Sequence, residues 1–250
     1  MLRRTGAVQR LAAPGEGISP EWSRDGRRVA FLRFLGPTGR EIVSRAWDRS
    51  GEDQVLFRDS SAVLFAFRLG AAGGWSVLRQ GGIGSETTGQ DILLAPAESL
   101  SRARPFVATA ANEVMPDLSP DGRWLAYASN ESGRREIYVQ PVPGPGARLQ
   151  VSIAGGREPL WSPQSGTLFY RSAERLIIAA RLEMAPLRVV RWDTLFVDRF
   201  TRGQSRTNWS VFPNGKEFLM ISGSQGTGGT KAVVNWPQLP AMKRGGSEPR

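Results

Sequence analysis

Short apolar runs, none longer than a strand, recur along the chain between polar stretches rich in Gly, Pro, Asp and Ser. In Val29-Ala30-Phe31 and Leu125-Ala126-Tyr127, the first and third residues share one face of an extended chain, and the alanines occupy the other. Leu168-Phe169-Tyr170 and Phe218-Leu219-Met220 repeat the pattern, again with apolar residues on both faces. A strand apolar on both faces is covered on both sides, as when sheets stack against neighbouring sheets. No helical period of 3.6 is present, so the pattern predicts an all-β chain.

These runs belong to a repeating unit. Trp22-Ser23-Arg24-Asp25-Gly26-Arg27 matches Leu118-Ser119-Pro120-Asp121-Gly122-Arg123, then Trp161-Ser162-Pro163-Gln164-Ser165-Gly166, then Val211-Phe212-Pro213-Asn214-Gly215-Lys216. The first two lie 96 residues apart, about twice the other spacings. A degenerate copy, Leu69-Gly70-Ala71-Ala72-Gly73-Gly74-Trp75, fills the gap, which gives starts near 22, 69, 118, 161 and 211. Spacings of 43 to 50 residues suit four-stranded propeller blades. A further strand recurs in each unit: Glu41-Ile42-Val43, Asp91-Ile92-Leu93, Glu136-Ile137-Tyr138, Leu176-Ile177-Ile178 and Ala232-Val233-Val234. Weaker fourth strands follow at Pro105-Phe106-Val107 and Arg148-Leu149-Gln150-Val151. Residues 8–12 read as an outer strand that completes the last unit and closes the ring, which removes open edges.

The motif residues are structural by their chemistry. Pro120, Pro163 and Pro213 preset φ at the second turn position. Asp25, Asp121 and Asn214 bond to their own backbone, and Gly26, Gly122, Gly166 and Gly215 take the left-handed conformation of a tight hairpin. A cation held by Asp25, Asp121 and Asn214 is the rival reading. It loses because the turn already uses those oxygens and no calcium-loop spacing occurs.

The pattern P-x-[hydrophobic]-S-P-D-G-R-x-[hydrophobic]-A-[aromatic], followed by G-x-x-x-I-[aromatic], resembles the WD40-like β-propeller repeat of TolB-type proteins. The match is strong over 116–142, fair over 20–33, 159–183 and 210–236, and unrecognisable in isolation over 69–94. The resemblance implies a β-propeller, and such relatives close with six blades where this chain shows five units. A six-bladed ring that has lost a blade therefore stays open beside a small five-bladed one. The same stretch together with the later "FPNGKEFLMI" also resembles the C-terminal propeller of bacterial eukaryotic-like serine/threonine protein kinases. That likeness implies a sensor beyond a membrane span, but no Gly-rich nucleotide loop, H-R-D or D-F-G is present, so kinase activity does not carry over.

Composition narrows the chemistry. The 250 residues contain no Cys and no His, which excludes disulfides, thiolate zinc sites and any triad with His as base. No G-x-S-x-G elbow occurs, and "SGSQGTGGTK" at 222–231 fails the phosphate-loop template, since Lys231 follows Thr230 and no Ser or Thr comes next. No catalytic, metal or cofactor residues are therefore assigned. The net charge of +10 is dispersed without long runs, so a nucleic-acid partner is not expected. No apolar run approaches a bilayer span, and Met1-Leu2-Arg3-Arg4 leads into no apolar signal region, so the chain as written reads as cytoplasmic. A detached kinase sensor would instead lie outside the cytoplasm. Trp22, Trp124 and Trp161, at matching or adjacent repeat positions, are expected in or beside the blade cores.

The expected organisation is a single propeller over residues 1–240 and a free tail at 241–250. The expected function is a non-catalytic binding or sensor module for a protein, peptide or small ligand, with loops 34–40, 80–90 and 199–208 as candidate contact regions. The alternatives are the ligand-sensing tail of a membrane-bound kinase and the propeller subunit of a prolyl-oligopeptidase-type hydrolase.

Overall fold

The computed structural model describes residues 11–12, 17–23, 25–36, 39–59, 63–70, 73–81, 89–164, 166–203, 206–222 and 229–233. Five antiparallel sheets follow one another along them. The first holds β1 (Gly17–Trp22), β2 (Arg28–Phe34), β3 (Arg40–Ala46) and β4 (Gln54–Asp59). The second holds β5 (Val63–Arg68), β6 (Trp75–Gly81), β7 (Gln90–Pro96) and β8 (Arg104–Val107). The third holds β9 (Glu113–Leu118), β10 (Trp124–Ser129), β11 (Glu136–Pro141) and β12 (Leu149–Gln150). The fourth holds β13 (Gly156–Trp161), β14 (Thr167–Ser172), β15 (Leu176–Met184) and β16 (Leu187–Val197). Three strands of the fifth are described: β17 (Ser210–Val211), β18 (Phe218–Ser222) and β19 (Gly229–Val233). One 3-10 turn, Leu100–Arg102, is the helical element among the described residues.

Each sheet is a meander, with strands paired in chain order. Four of the five repeat starts fall on the last residue of a sheet's first strand, and Leu69 falls one residue past it. The expected fourth strands appear as β8 and β12. The strand expected at residues 8–12 falls mostly outside the described residues, and Leu11 and Ala12 carry no strand. The tail at 241–250, Val234, and residues 223–228 of the Gly-rich stretch also lie outside them.

Side chains from both faces of the middle strands fill the spaces between sheets. Leu32 and Ile42 of the first sheet meet Leu64, Leu78 and Leu93 of the second. On the opposite face of the second sheet, Val77, Ile92 and Leu94 meet Leu125, Tyr127 and Tyr138 of the third. Ala126, Ile137 and Val139 pack on Trp161, Leu168 and Tyr170 of the fourth. Phe169 and Ile177 pack on Phe218 and Met220 of the fifth, with Phe169 and Phe218 edge to face at 5.0 Å. The two-faced apolar pattern is thus one face for the sheet before and one for the sheet after. It fades at the fifth sheet, where Leu219 and Ile221 are exposed.

The row of sheets curves. Arg206, just before β17, donates a hydrogen bond from Nε to the carbonyl of Phe65 in the second sheet at 3.1 Å, across 141 residues of chain. Ser19 and Pro20 of β1, Ala66 of β5, Met115 of β9 and Thr207 line one cavity of about 140 Å3. First strands from three sheets and the approach to the fifth therefore share an axis, as the blades of a propeller do. Each of β1, β5, β9 and β13 carries a bulge beside this axis. Ser19, Met115 and Glu158 sit in those bulges with φ of 56°, 56° and 52°, a conformation unusual for residues other than glycine.

Candidate functional site

The hairpin turns between first and second strands lie together on one end of the ring. In the third sheet, Ser119 Oγ donates to Asp121 Oδ1 at 2.5 Å, and that same oxygen accepts from Arg123 N at 3.1 Å. Gly122 N donates to Ser119 O at 2.8 Å with φ of 70°. Asp25 repeats the arrangement, accepting from Ser23 Oγ at 2.6 Å and Arg27 N at 3.0 Å, with Gly26 at φ 66°. Asn214 accepts from Lys216 N at 2.9 Å, followed by Gly215 at φ 66°. In the fourth sheet, Gly166 has φ of 87° and Gln164 N donates to Ser162 Oγ at 3.2 Å. Pro120, Pro163 and Pro213 occupy the second position of these turns. Among the described residues no cluster of three or more acidic side chains is placed to hold a metal.

Side chains at the ends of β1, β5 and β9 reach toward the next sheet. Glu21 accepts from Leu69 N with both carboxylate oxygens, at 3.2 and 3.1 Å. Arg68 Nε stands 3.4 Å from Asp117 Oδ1, and Asp117 Oδ2 accepts from Trp161 N at 2.8 Å. These contacts tie four successive sheets together next to the axis. Burial pushes the Glu21 carboxyl up to about 7, against the pull of Arg68 and the Leu69 N–H. Burial also raises Asp117, again against Arg68.

Above these three side chains opens a groove of about 690 Å3, walled by Trp22, Leu56, Leu69, Trp75 and the Ser119–Gly122 turn. Trp22 presents its indole to solvent, with 59% of its surface exposed. Two carboxylates, one guanidinium and an open aromatic face suit a cationic side chain flanked by apolar groups.

No family model matches the chain. The Tol-Pal system protein TolB of Syntrophus aciditrophicus (strain SB) is 30% identical over 176 residues, covering 60% of this chain and 36% of that protein. The crystal structure of TolB from Acinetobacter baumannii superposes with a TM-score of 0.68 at 15% identity, covering 90% of this chain and 53% of that one. The fold is a TolB-type β-propeller. An oligogalacturonate lyase in complex with manganese shares the architecture at a TM-score of 0.59 and 12% identity, covering 89% of this chain and 67% of that one. The chain spans about a third of the length of the curated TolB it matches.

Within this TolB-type propeller, one expectation from sequence is corrected. Trp161 is buried and Trp124 packs against the same cluster, but Trp22 is exposed. Residues at or just past the ends of β5, β9, β13 and β17 turn back onto the preceding sheet: Leu69, Leu118, Trp161 and Val211 all join the interface behind them. Among the described residues no sheet precedes the first, so Trp22 has nothing to cover it and becomes a groove wall.

The described parts of the loops at 34–40, 80–90 and 199–208 lie at the end of the TolB-type ring away from the turns, where second strands pass into third and β16 leads to β17. Residues 37–38, 82–88 and 204–205 are outside the described residues. The groove residues Glu21, Arg68 and Asp117 were not singled out by motif. Their only signal is the acid before the final apolar residue in Pro20-Glu21-Trp22 and Pro116-Asp117-Leu118.

Proposed function

We propose that the chain is a non-catalytic binding module, working as one unit over residues 1–240, whose turn-end groove takes a protein or peptide segment carrying a Lys or Arg beside apolar residues. The observation that carries this reading is the groove itself. It places the exposed Trp22 beside Glu21 and Asp117, with Arg68 in electrostatic contact with both carboxyls. Buried carboxylates favour an added cation, and an exposed indole supplies apolar and cation–π contact. The absence of His and Cys from the sequence supports a binding role over acid–base or nucleophilic work.

An array of synthetic peptides tests this directly. Peptides with a basic residue between apolar ones are expected to bind, and Trp22→Ala or Glu21→Gln should weaken them by about tenfold, roughly 1.4 kcal/mol. Binding that ignores both substitutions would contradict the groove. Turnover of ester, peptide or uronide substrates by the purified chain would contradict the non-catalytic reading and favour the hydrolase-type alternative. An in-frame kinase domain and membrane span upstream of Met1 in genomic DNA would make the same groove a kinase sensor.

A further inference from the structure

The strands at the outer edges of the sheets are not alike. β8 and β12 stop after four and two residues, whereas β16, outermost in the fourth sheet, runs for eleven and is the longest strand described. Its inner edge pairs with β15, and among the described residues no strand pairs with its outer edge. Alternate residues of an antiparallel edge strand turn N–H and C=O outward, a template for a further strand that short length or a proline normally blunts. β16 contains no proline. Breaks in its register with β15, at Val190 and at Leu195, leave residues 191–194 regular between them.

The side chains around that stretch suit burial. Trp192 donates from Nε1 to Val151 O, just past β12, at 3.0 Å, yet is 46% exposed. Val190 and Ile153 are exposed by 57% and 70%, so apolar surface gathers along the outer rims of the third and fourth sheets. On the other face of β16, Arg191 donates from Nε to Asp193 Oδ1 at 2.6 Å. A two-fold axis normal to the sheet would bring a second β16 alongside, antiparallel. With the axis at Trp192, Arg191 stands opposite Asp193 of the copy, Asp193 stands opposite the copy's Arg191, and the two Trp192 side chains meet on the other face. Opposite charges across strands stabilise a pairing and like charges destabilise it. An axis at Arg191 or at Asp193 would set like charges face to face, so charge selects the register at Trp192.

We infer that the outer edge of β16 is a self-docking surface, on which a second copy of this chain adds its own β16 with Arg191 opposite Asp193. The contact is isologous and closes at two chains. It does not rest on the turn-end groove, which other strands build, and the dimer carries two such grooves. Sedimentation equilibrium of the whole chain across a wide concentration range tests it, and a reversible monomer–dimer equilibrium is expected. Arg191→Asp and Asp193→Arg each set like charges opposite one another at both symmetry-related pairs, and each should weaken the dimer by at least about tenfold. Mixed in equal amounts, the two variants place unlike charges at both pairs again and should associate with about native affinity. The Arg191–Asp193 contact within one chain cannot produce that rescue. Should a variant not fold, hydrogen exchange on the unsubstituted chain decides, since amides of residues 187–197 should exchange more slowly as concentration rises. A chain that stays monomeric throughout, a dimer indifferent to both charge reversals, a mixture no tighter than either variant alone, or exchange along β16 that ignores concentration would overturn the inference. A monomer whose β16 amides are slowed only by an added strand-forming peptide would overturn it in favour of a foreign strand. Trp22→Ala should leave the dimer intact, so failure of the groove and failure of this surface are told apart.

Discussion

Glu21 links local chemistry to stability. Its ordinary value is 4.5 and in the folded chain it is pushed up to about 7, so the folded state holds a proton that the unfolded state releases. Stability therefore falls as pH rises from about 4.5 to about 7 and the cost is constant above that. Glu21→Gln keeps an acceptor for Leu69 N and removes the charge. It should flatten this slope and stabilise the chain above neutrality by on the order of 2 kcal/mol, read as urea midpoints across pH. At the turns, Gly122→Ala forces a side chain into φ of 70°. A loss of about 1 kcal/mol is expected by the same measurement, with no change of fold. The turn residues were legible because their chemistry is local: Ser, Asp and Gly bond within five residues of one another. Glu21 and Asp117 were not, because each owes its role to a backbone group beyond its own sheet.

Elements are stabilised between sheets more than within them. Leu78 is fully buried in the interface of first and second sheets, and its neighbours Leu32, Ile42 and Leu64 come from both. Leu78→Ala should cost about 2–5 kcal/mol by thermal or denaturant unfolding, the range for a buried leucine in a rigid core. A loss below about 1 kcal/mol would mean that the two sheets do not share this core. Strand identity and order were readable from two-residue periodicity and turn spacing. Strand ends were less so: β16 runs for eleven residues, and β12 for two, because pairing with β15 and β11 sets their lengths. Trp22 and Trp161 show the same limit, since equivalent repeat positions are buried or exposed according to whether a sheet lies behind them.

The whole molecule acts through its axis. The first three sheets build the turn-end groove, Arg206 reaches from before β17 to Phe65 of the second sheet, and neither arrangement exists unless the sheets bend round to face each other. Five units were countable in the sequence, but the curvature was not, since no single repeat encodes which distant blade it will meet. Ala66 on β5 and Thr207 before β17 line the same axial cavity, and the chain has no native cysteine to interfere. In a variant carrying Ala66→Cys and Thr207→Cys, a short bifunctional maleimide should cross-link the two thiols within one folded monomer, seen as an intramolecular peptide link by mass spectrometry. Two thiols that are each modified separately in the folded monomer, with no internal link, would contradict a ring of sheets around a common axis.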